Sequence, residues 1–514
     1  MASNSFPPLP LLPLHIVGNI LEHSDSIQQL GTTILSHSIF YDAFKEHPRY
    51  IAQSIITTQI PETTLPYALL SLESSRMAPG DRAAINGMLA RFCPKSHDTG
   101  ESGNSFTCFH HLSETLATPP LSLNTLSWSD YASLSRDYEV VLLLRQIMAE
   151  ESVTMLNIFG IKHTASLTTA EKFRLNRSFY LFQTVCNMFC TNVWPEDWRF
   201  NFDNYMLRFD HTPEEYLGVL FHYFSPWVNH QLLCVYRFLE RNIVRSFDYL
   251  AENDIGYAGW SARYVYTDSS FIRCHELFTR GLSFHLTVYQ TKGYEATSQL
   301  LKPPPGVEPR YALDGVSGLF ECLNDPLEVL MEKYQLWDIK VGDLTSEHWD
   351  LLSRPQDGEF DGLQSSSCHN WKCAWYDTNF NECQMARFVS WLVECAYVIW
   401  DYSGIPDRLL SEKLKAMSDC KAPYGPRRGL SATEDDIRSM DQRLDIYLRG
   451  GEGWWPTKGV DFSRVTGLTE QDKEELLCEW RFCGWVESSK RKRSGSSSSC
   501  SSVKSTVSVR RRYS

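Results

Sequence analysis

A few cysteine and histidine residues are the side chains of this sequence whose types and spacing could do chemistry. They form two candidate metal-binding groups: Cys368, His369, Cys373 and Cys383, and Cys108, His110 and His111. A zinc site usually combines pairs of ligands at tight spacing, as in a C-x-x-C pair. The sequence contains no C-x-x-C pair, and both groups lie in stretches rich in Ser and Asn. We therefore interpret them as loop residues and predict no bound metal.

Motifs for acid–base or phosphate chemistry are equally weak. His110 with His111, and His275 with Glu276, have the residue types of an acid–base pair, but a hydrogen-bonded structural histidine is far commoner. The glycine-rich stretch 450–453 lacks the preceding strand and the following Lys-Ser or Lys-Thr of a phosphate-binding loop. The sequence also contains no H-E-x-x-H motif, no G-x-S-x-G motif and no dinucleotide-binding motif. We predict no catalytic residue, no cofactor and no enzyme activity, although a site assembled from distant residues stays an alternative.

The elements that must position any site are predicted to be helices. Hydrophobic residues make up 43% of the 514 residues and aromatic residues 13%, which is enough for a large core. Apolar residues recur at helical spacing along most of the chain, and the predicted fold class is all-α. The fifteen cysteines are sparse and no secretory signal accompanies them, so we expect reduced core residues. No run approaches the roughly 20 apolar residues of a membrane span, and no membrane partner is predicted.

Residues 12–48 have a pattern that indicates a role as well as a fold. Pro13 suits the start of a helix, whose apolar stripe consists of Ile16, Val17, Ile20 and Leu21. Ser26 with Gln29 has the form of a capping box that opens a second helix carrying Leu30. Three short amphipathic helices in this span bury too little surface to be stable alone. They therefore need a partner surface, either in this chain or in another protein.

The third of these helices carries the aromatic residues of the segment. Ser36 or Ser38 is the predicted cap of this helix. It must end near His47, because the residue before a proline such as Pro48 is pushed out of the α region. Pro48 can then start a fourth helix, since a missing N–H costs nothing at a first helical position.

The segment resembles the F-box, and more narrowly the F-box-like segment at the start of many filamentous-fungal proteins. The residues that carry this resemblance are Leu12, Pro13, Ile16, Ile20, Leu21, Leu30, Phe40 and Phe44, together with Tyr41. Two later segments, AEKFRLNRSFYLFQTVCNMF and CAYVIWD, also resemble that fungal family. The likeness therefore extends over most of the chain.

The resemblance implies a partner and a division of labour. It implies that these eight side chains, without Tyr41, contact the Skp adaptor of an SCF-type cullin-RING ubiquitin ligase, while the rest of the chain presents an unknown protein substrate. Ubiquitin transfer would belong to the partner enzymes. His15 and Ser24 stand where the family usually has Glu and Leu. The alternative is a non-catalytic helical scaffold whose N-terminal helices pack against its own body.

Composition and pattern predict six segments along the chain. They are a disordered N-terminus (1–11), the F-box-like module (12–50), a helical extension (51–93), a loop or linker (94–130), a large irregular α-helical domain (131–487) and a disordered basic tail (488–514). Within the large domain, Thr168 with Glu171 predicts a capping box at the start of a core helix. A further helix is predicted through Phe388, Leu392, Cys395 and Ile399.

The tail separates charge from the rest of the chain. It contains eight Lys or Arg residues and no acid, so removing it from the chain's net charge of −13 leaves the body at −21. An acidic body argues against nucleic-acid binding except weakly through the tail. The cluster Lys490, Arg491, Lys492 and Arg493 is of the nuclear-import type. We predict an intracellular protein that is nuclear or nucleo-cytoplasmic.

Overall fold

The structure, a computed structural model, describes residues 12–78, 81–89, 121–163, 166–189, 224–256, 277–278, 280–301, 339–353, 360–378, 391–402, 404–420 and 433–486. Helices form nearly all the regular structure of these residues, and the strands are one two-stranded pair. The all-α prediction is therefore confirmed at the level of fold class. The predicted segments 1–11 and 488–514, and most of 94–130, lie outside the described residues.

The described residues belong to two compact units, one from 12–252 and 277–420, the other from 253–256 and 433–486. The helices of the first unit are α1 (Leu14–Glu22), α2 (Ile27–Ser36), α3 (Ser38–Glu46), α4 (Pro48–Gln59), α5 (Leu65–Ser74), α6 (Arg82–Leu89), α7 (Trp128–Ile158), α8 (Thr169–Phe189), α9 (Pro226–Asn253, whose last residue falls in the second unit), α10 (Leu282–Gln290), α11 (Tyr294–Leu301), α12 (Ser346–Leu352), α13 (Ser366–Trp375), α14 (Trp391–Glu394) and α15 (Asp407–Asp419). Short 3-10 turns occur at Leu123–Thr125 and Val341–Asp343.

The long helices α7, α8 and α9 build the centre of the first unit. Helix α7 starts inside the predicted linker, where Ser127 and Asp130 form a capping box. Helix α8 starts as predicted: the Thr168 N–H donates to Glu171 Oε2 at 2.8 Å, and the Glu171 N–H donates to Thr168 Oγ1 at 3.2 Å. The rings of Phe179 on α8 and Phe238 on α9 meet edge to face, 6.3 Å apart. Local capping thus sets where these helices begin, and aromatic packing joins them.

The N-terminal helices begin and end close to the predicted positions, with one difference in capping. Ser26 Oγ accepts from the Gln29 N–H at 3.1 Å as predicted, and α3 ends at Glu46, just before Pro48. The prediction that Ser36 or Ser38 caps α3 is wrong. His37 is the residue directly before the helix, and its Nδ1 accepts the Ile39 N–H at 3.1 Å. Ser36 belongs to α2, where its hydroxyl donates to the Thr33 carbonyl at 2.7 Å.

The helix predicted through Leu392, Cys395 and Ile399 is also wrong in its described part. Helix α14 ends at Glu394, and Ala396 has a φ of +54°, which an α-helix does not allow. Residues 392–400 are all buried. The helical spacing of their apolar side chains is therefore not an amphipathic face but part of a continuous apolar run. Such a run does not distinguish a helix from other buried backbone.

Side chains, most of them from neighbouring helices, donate hydrogen bonds to the backbone carbonyls of this buried segment. Asn370 Nδ2 on α13 donates to the carbonyls of Tyr397 (3.1 Å) and Trp400 (2.8 Å). Three further donors reach carbonyls of the segment: Ser367 Oγ to Val398 (2.7 Å), Arg174 Nη1 to Ile399 (2.9 Å) and Trp400 Nε1 to Cys395 (2.7 Å). A buried carbonyl needs a partner, so these donors allow the segment to be irregular.

The second unit consists of α16 (Glu434–Leu448), α17 (Glu470–Phe482) and the strands β1 (Glu452–Gly453) and β2 (Val465–Thr466). Its core is aromatic, with the Trp455 ring 5.5 Å from the Trp480 ring and 5.1 Å from the Phe462 ring. Gly453 has a φ of +116°, and a Cβ there would lie 2.3 Å from the Arg464 carbonyl oxygen. The glycine-rich stretch thus serves the close approach of two strands.

The described helices include none with the length and apolarity needed to cross a membrane.

Replacement of Asn370 by alanine is expected to destabilise the first unit by about 2–4 kcal/mol, because it removes a side-chain donor from the buried carbonyls of Tyr397 and Trp400. Urea unfolding followed by circular dichroism measures the change. Asn157→Ala is the matched control, since Asn157 is exposed on α7 and its replacement should change stability by less than about 0.5 kcal/mol. Equal stabilities of the two variants would contradict the role given to Asn370.

Candidate functional site

The interpretation of Cys368, His369 and Cys373 as loop residues is wrong, because all three lie on helix α13. Two of them, His369 and Cys373, lie together. His369 Nε2 lies 3.5 Å from Cys373 Sγ and 3.4 Å from Asp407 Oδ1. Burial raises the pKa of Cys373 to about 11, so its sulfur is a thiol, and not the reactive thiolate, at neutral pH. Within the described ranges, no group of three or more His, Cys, Asp or Glu residues could hold a metal ion. The candidates outside those ranges are Cys108, His110, His111, His275, Glu276 and Cys383.

A cluster of buried charges between α8, α9 and the start of α13 was not predicted from the sequence. Asp361 is fully buried and accepts from Arg174 Nε at 3.2 Å, from Arg177 Nη2 at 2.6 Å and from Gln231 Nε2 at 3.1 Å. Arg174 also donates to Asp401 Oδ1 at 2.7 Å. The local signal for the cluster in the sequence is a pair of arginines, three positions apart, in a predicted core helix.

Glu171 extends the same cluster toward the segment 392–400. Its carboxylate accepts from the Asp401 N–H at 2.8 Å and lies 3.0 Å from His163 Nε2. Burial opposes ionisation, but hydrogen bonds from His163, Asp401 and Thr168 hold the pKa of Glu171 below its usual range. Both oxygens of Asp361 and of Glu171 are engaged by neighbours. These carboxylates are thus held in place by donors of the protein itself, and we assign the cluster a structural role.

Asp137 on α7 is a different kind of candidate, because its carboxyl group titrates where acid–base chemistry needs it. Burial raises the pKa of Asp137 from 3.8 to about 6, and the neighbouring Arg136 offsets this only partly. Burial, and then the Asp137 carboxylate, raise the pKa of the Tyr180 hydroxyl on α8. A carboxyl group whose pKa is raised by burial makes the stability of the protein depend on pH, and this is the effect that we assign to Asp137.

Helices α1, α2 and α3 pack around a small shared core and leave part of α1 uncovered. That core contains Val17, Leu21, Leu30, Ile39 and Ala43, all of them buried. Ile16 and Ile20, one helical turn apart on α1, are 38% and 48% exposed. Two large apolar side chains on one helical face, in contact with water, are what a docking surface presents. The face of α1 formed by Ile16 and Ile20 is called the α1 face below.

Helix α2 fixes the three helices to α7. The Ile27 N–H donates to Ser135 Oγ at 3.1 Å, and this hydroxyl donates to Gln28 Oε1 at 2.8 Å. On α3, the Phe44 ring meets Trp128 edge to face at 5.1 Å. The N-terminal helices are therefore part of the first unit, and the α1 face is presented from a fixed support.

The predicted contact residues thus separate into two sets. Leu21 and Leu30 are buried inside the three helices, and Phe44 packs on α7. Pro13, Ile16 and Ile20 are exposed, and Leu12 and Phe40 are half-buried. The four residues of the predicted import cluster, 490–493, lie outside the described residues.

Comparisons of the chain with protein-family models, with curated proteins and with solved structures found no match.

Asp137→Asn is expected to stabilise the protein at neutral pH. The pKa of Asp137 is higher in the folded protein than its ordinary value. Ionisation of the carboxyl group therefore lowers the free energy of unfolding as pH rises from about 4 through about 6. The variant should gain about 2 kcal/mol at pH 7.5 and about half of that at pH 5. Thermal or urea unfolding at the two pH values measures the gain. A gain that does not vary with pH would argue against a raised pKa.

Proposed function

We propose that residues 12–50 form a docking module that binds the Skp adaptor of a cullin-RING ubiquitin ligase. The single observation that carries this proposal is the α1 face, where Ile16 and Ile20, one helical turn apart, stay exposed above a buried core. The resemblance of the segment to the F-box supplies the identity of the partner. Other parts of the first unit would present a protein substrate.

Some residues of the module would contact the adaptor, and others would hold the helices in place. Leu12, Pro13, Ile16 and Ile20 would meet the adaptor directly, because they lie at or near the exposed side of α1. Leu21 and Leu30 would not touch the adaptor, because they are buried, and they would instead hold α1 against its neighbours. Phe40 is half-buried and would contribute its edge, while Phe44 holds α3 on Trp128. In this proposal no residue of the chain performs chemistry, and ubiquitin transfer belongs to the partner enzymes.

The scaffold alternative is favoured by a specific observation as well. Helices α2 and α3 are attached to α7 through Ser135 and Trp128, as expected for N-terminal helices that pack against their own body. This attachment uses the side of the module that carries α2, whereas Ile16 and Ile20 lie on α1. The two accounts therefore differ in one respect, which is whether the α1 face has a partner.

The predicted import role of Lys490 to Arg493 stays a prediction from the sequence. A nuclear or nucleo-cytoplasmic location would be compatible with either account.

The double variant Ile16→Asp, Ile20→Asp is expected to lose binding to purified Skp adaptor by about 100-fold or more, because two apolar contacts are replaced by charges that must be desolvated. The full-length protein is titrated with the adaptor and binding is followed by calorimetry. Because both side chains are exposed in the free protein, urea unfolding should change little.

Leu35→Asp is the matched control. Leu35 is 85% exposed and lies at the end of α2, so the replacement places an aspartate on the same module away from the α1 face. This control should bind like the wild type. Absence of binding by the wild-type protein, or equal binding by the double variant, would refute the adaptor proposal and leave the helical scaffold.

A further inference from the structure

Helix α16 of the second unit has one buried face, which is mostly polar, and one apolar stripe that is exposed. Ser439, Gln442, Arg443 and Ile446 are buried against the core of the unit. Ile437, Leu444 and Leu448 are 46%, 40% and 74% exposed. Their spacing of seven and four residues places them in one stripe along the helix. This stripe is called the α16 face below.

Acidic groups surround the α16 face. Asp441 lies within the stripe, between Ile437 and Leu444, and Glu434 and Asp435 occupy the first turn. Burial, together with the Asp445 carboxylate, raises the pKa of Asp441. No basic side chain of the described residues forms an ion pair with Asp441. A basic group placed beside it would remove the electrostatic strain, because an opposite charge favours the carboxylate.

Several basic residues of the unit are already paired, among them Arg438 and Lys458, which both lie within 4 Å of the Asp435 carboxylate in the first turn of α16. Arg449 pairs with Glu475 at 2.8 Å and with Glu479 at 2.9 Å, and Arg443 donates to the Asp254 carbonyl at 3.2 Å. Residues 433–486 contain twelve acidic and seven basic side chains. A ligand of the α16 face must therefore bring both apolar surface and positive charge.

The C-terminal segment 503–513 of the same chain has this composition. Its sequence, VKSTVSVRRRY, contains three valines and a tyrosine together with Lys504 and Arg510 to Arg512, and no acid. About 17 residues separate Val486, the last described residue of the unit, from Val503. A serine-rich sequence of that length has a typical end-to-end distance of about 23 Å. Helix α16 is itself about 22 Å long, so the segment can reach the face at high effective concentration.

We propose that the α16 face binds residues 503–513, with the valines against Leu444 and Leu448 and the arginines beside Asp441 and Glu434. This interaction is independent of the adaptor function proposed above, because it uses neither the module 12–50 nor its partner. It makes the second unit a receptor for the chain's own basic end. Any other molecule with the same alternation of apolar and basic residues would compete for the face.

The first test is amide hydrogen exchange of the full-length protein. The triple variant Arg510→Ala, Arg511→Ala, Arg512→Ala is expected to exchange several-fold faster than the wild type in α16. The matched control replaces Lys490, Arg491, Lys492 and Arg493 by alanine, which removes at least as much charge from an earlier part of the same tail. The control should leave the exchange of α16 unchanged. Equal exchange in wild type and triple variant would overturn the proposal, as would an equal effect of the control.

The second test is a charge exchange across the contact. Asp441→Lys alone should accelerate exchange in α16, and the addition of Arg510→Glu, Arg511→Glu and Arg512→Glu should restore it. If Asp441 had only a structural role, the added substitutions would not restore the slow exchange of α16. The wild-type measurement is repeated over a hundredfold range of protein concentration. Protection that rises with concentration would mean that a second copy covers the face, and would contradict binding within one chain.

Discussion

The pairing of Asp361 with Arg174 and Arg177 is the interaction on which the rest of the first unit depends. One carboxylate and two guanidinium groups are removed from water there, and removal of any partner would leave a buried charge uncompensated. Arg174 also binds Asp401 and the Ile399 carbonyl, and so connects Asp361 to the segment 392–400. The cluster thus determines how the irregular segment 392–400 lies against α8. Its energetic value is specificity of arrangement more than net stability.

The N-terminal helices are attached to the same body through α7. Ser135 is the centre of this attachment, because its hydroxyl bonds both the Ile27 N–H and the Gln28 side chain. The attachment explains why three short helices with a small core can be ordered in this chain. It also leaves α1 on the side that carries no such contact. A fixed support and an uncovered apolar face together are what a docking module requires, since little conformational entropy is lost on binding.

Local chemistry allowed much of the helical fold to be predicted from the sequence. Pro48 and the pair Thr168 and Glu171 mark helix starts where the structure has them, because capping depends on residues three or four apart. The segment through Cys395 was misassigned because its hydrogen bonds come from Asn370 and other side chains distant in sequence. Likewise, Ile16 and Leu21 belong to one apolar stripe in the sequence. Only tertiary packing decides that Leu21 is buried and Ile16 is exposed.

Amide hydrogen exchange of the full-length protein, alone and with the Skp adaptor, tests the central claim most directly. The claim is that the N-terminal helices form one body with α7 and keep the α1 face for a partner. It predicts that α2 and the facing part of α7 are protected in both states, and that protection of α1 increases when the adaptor is added. Unprotected α2 in the free protein would contradict the fixed support. Unchanged exchange of α1 with the adaptor present would contradict the docking face.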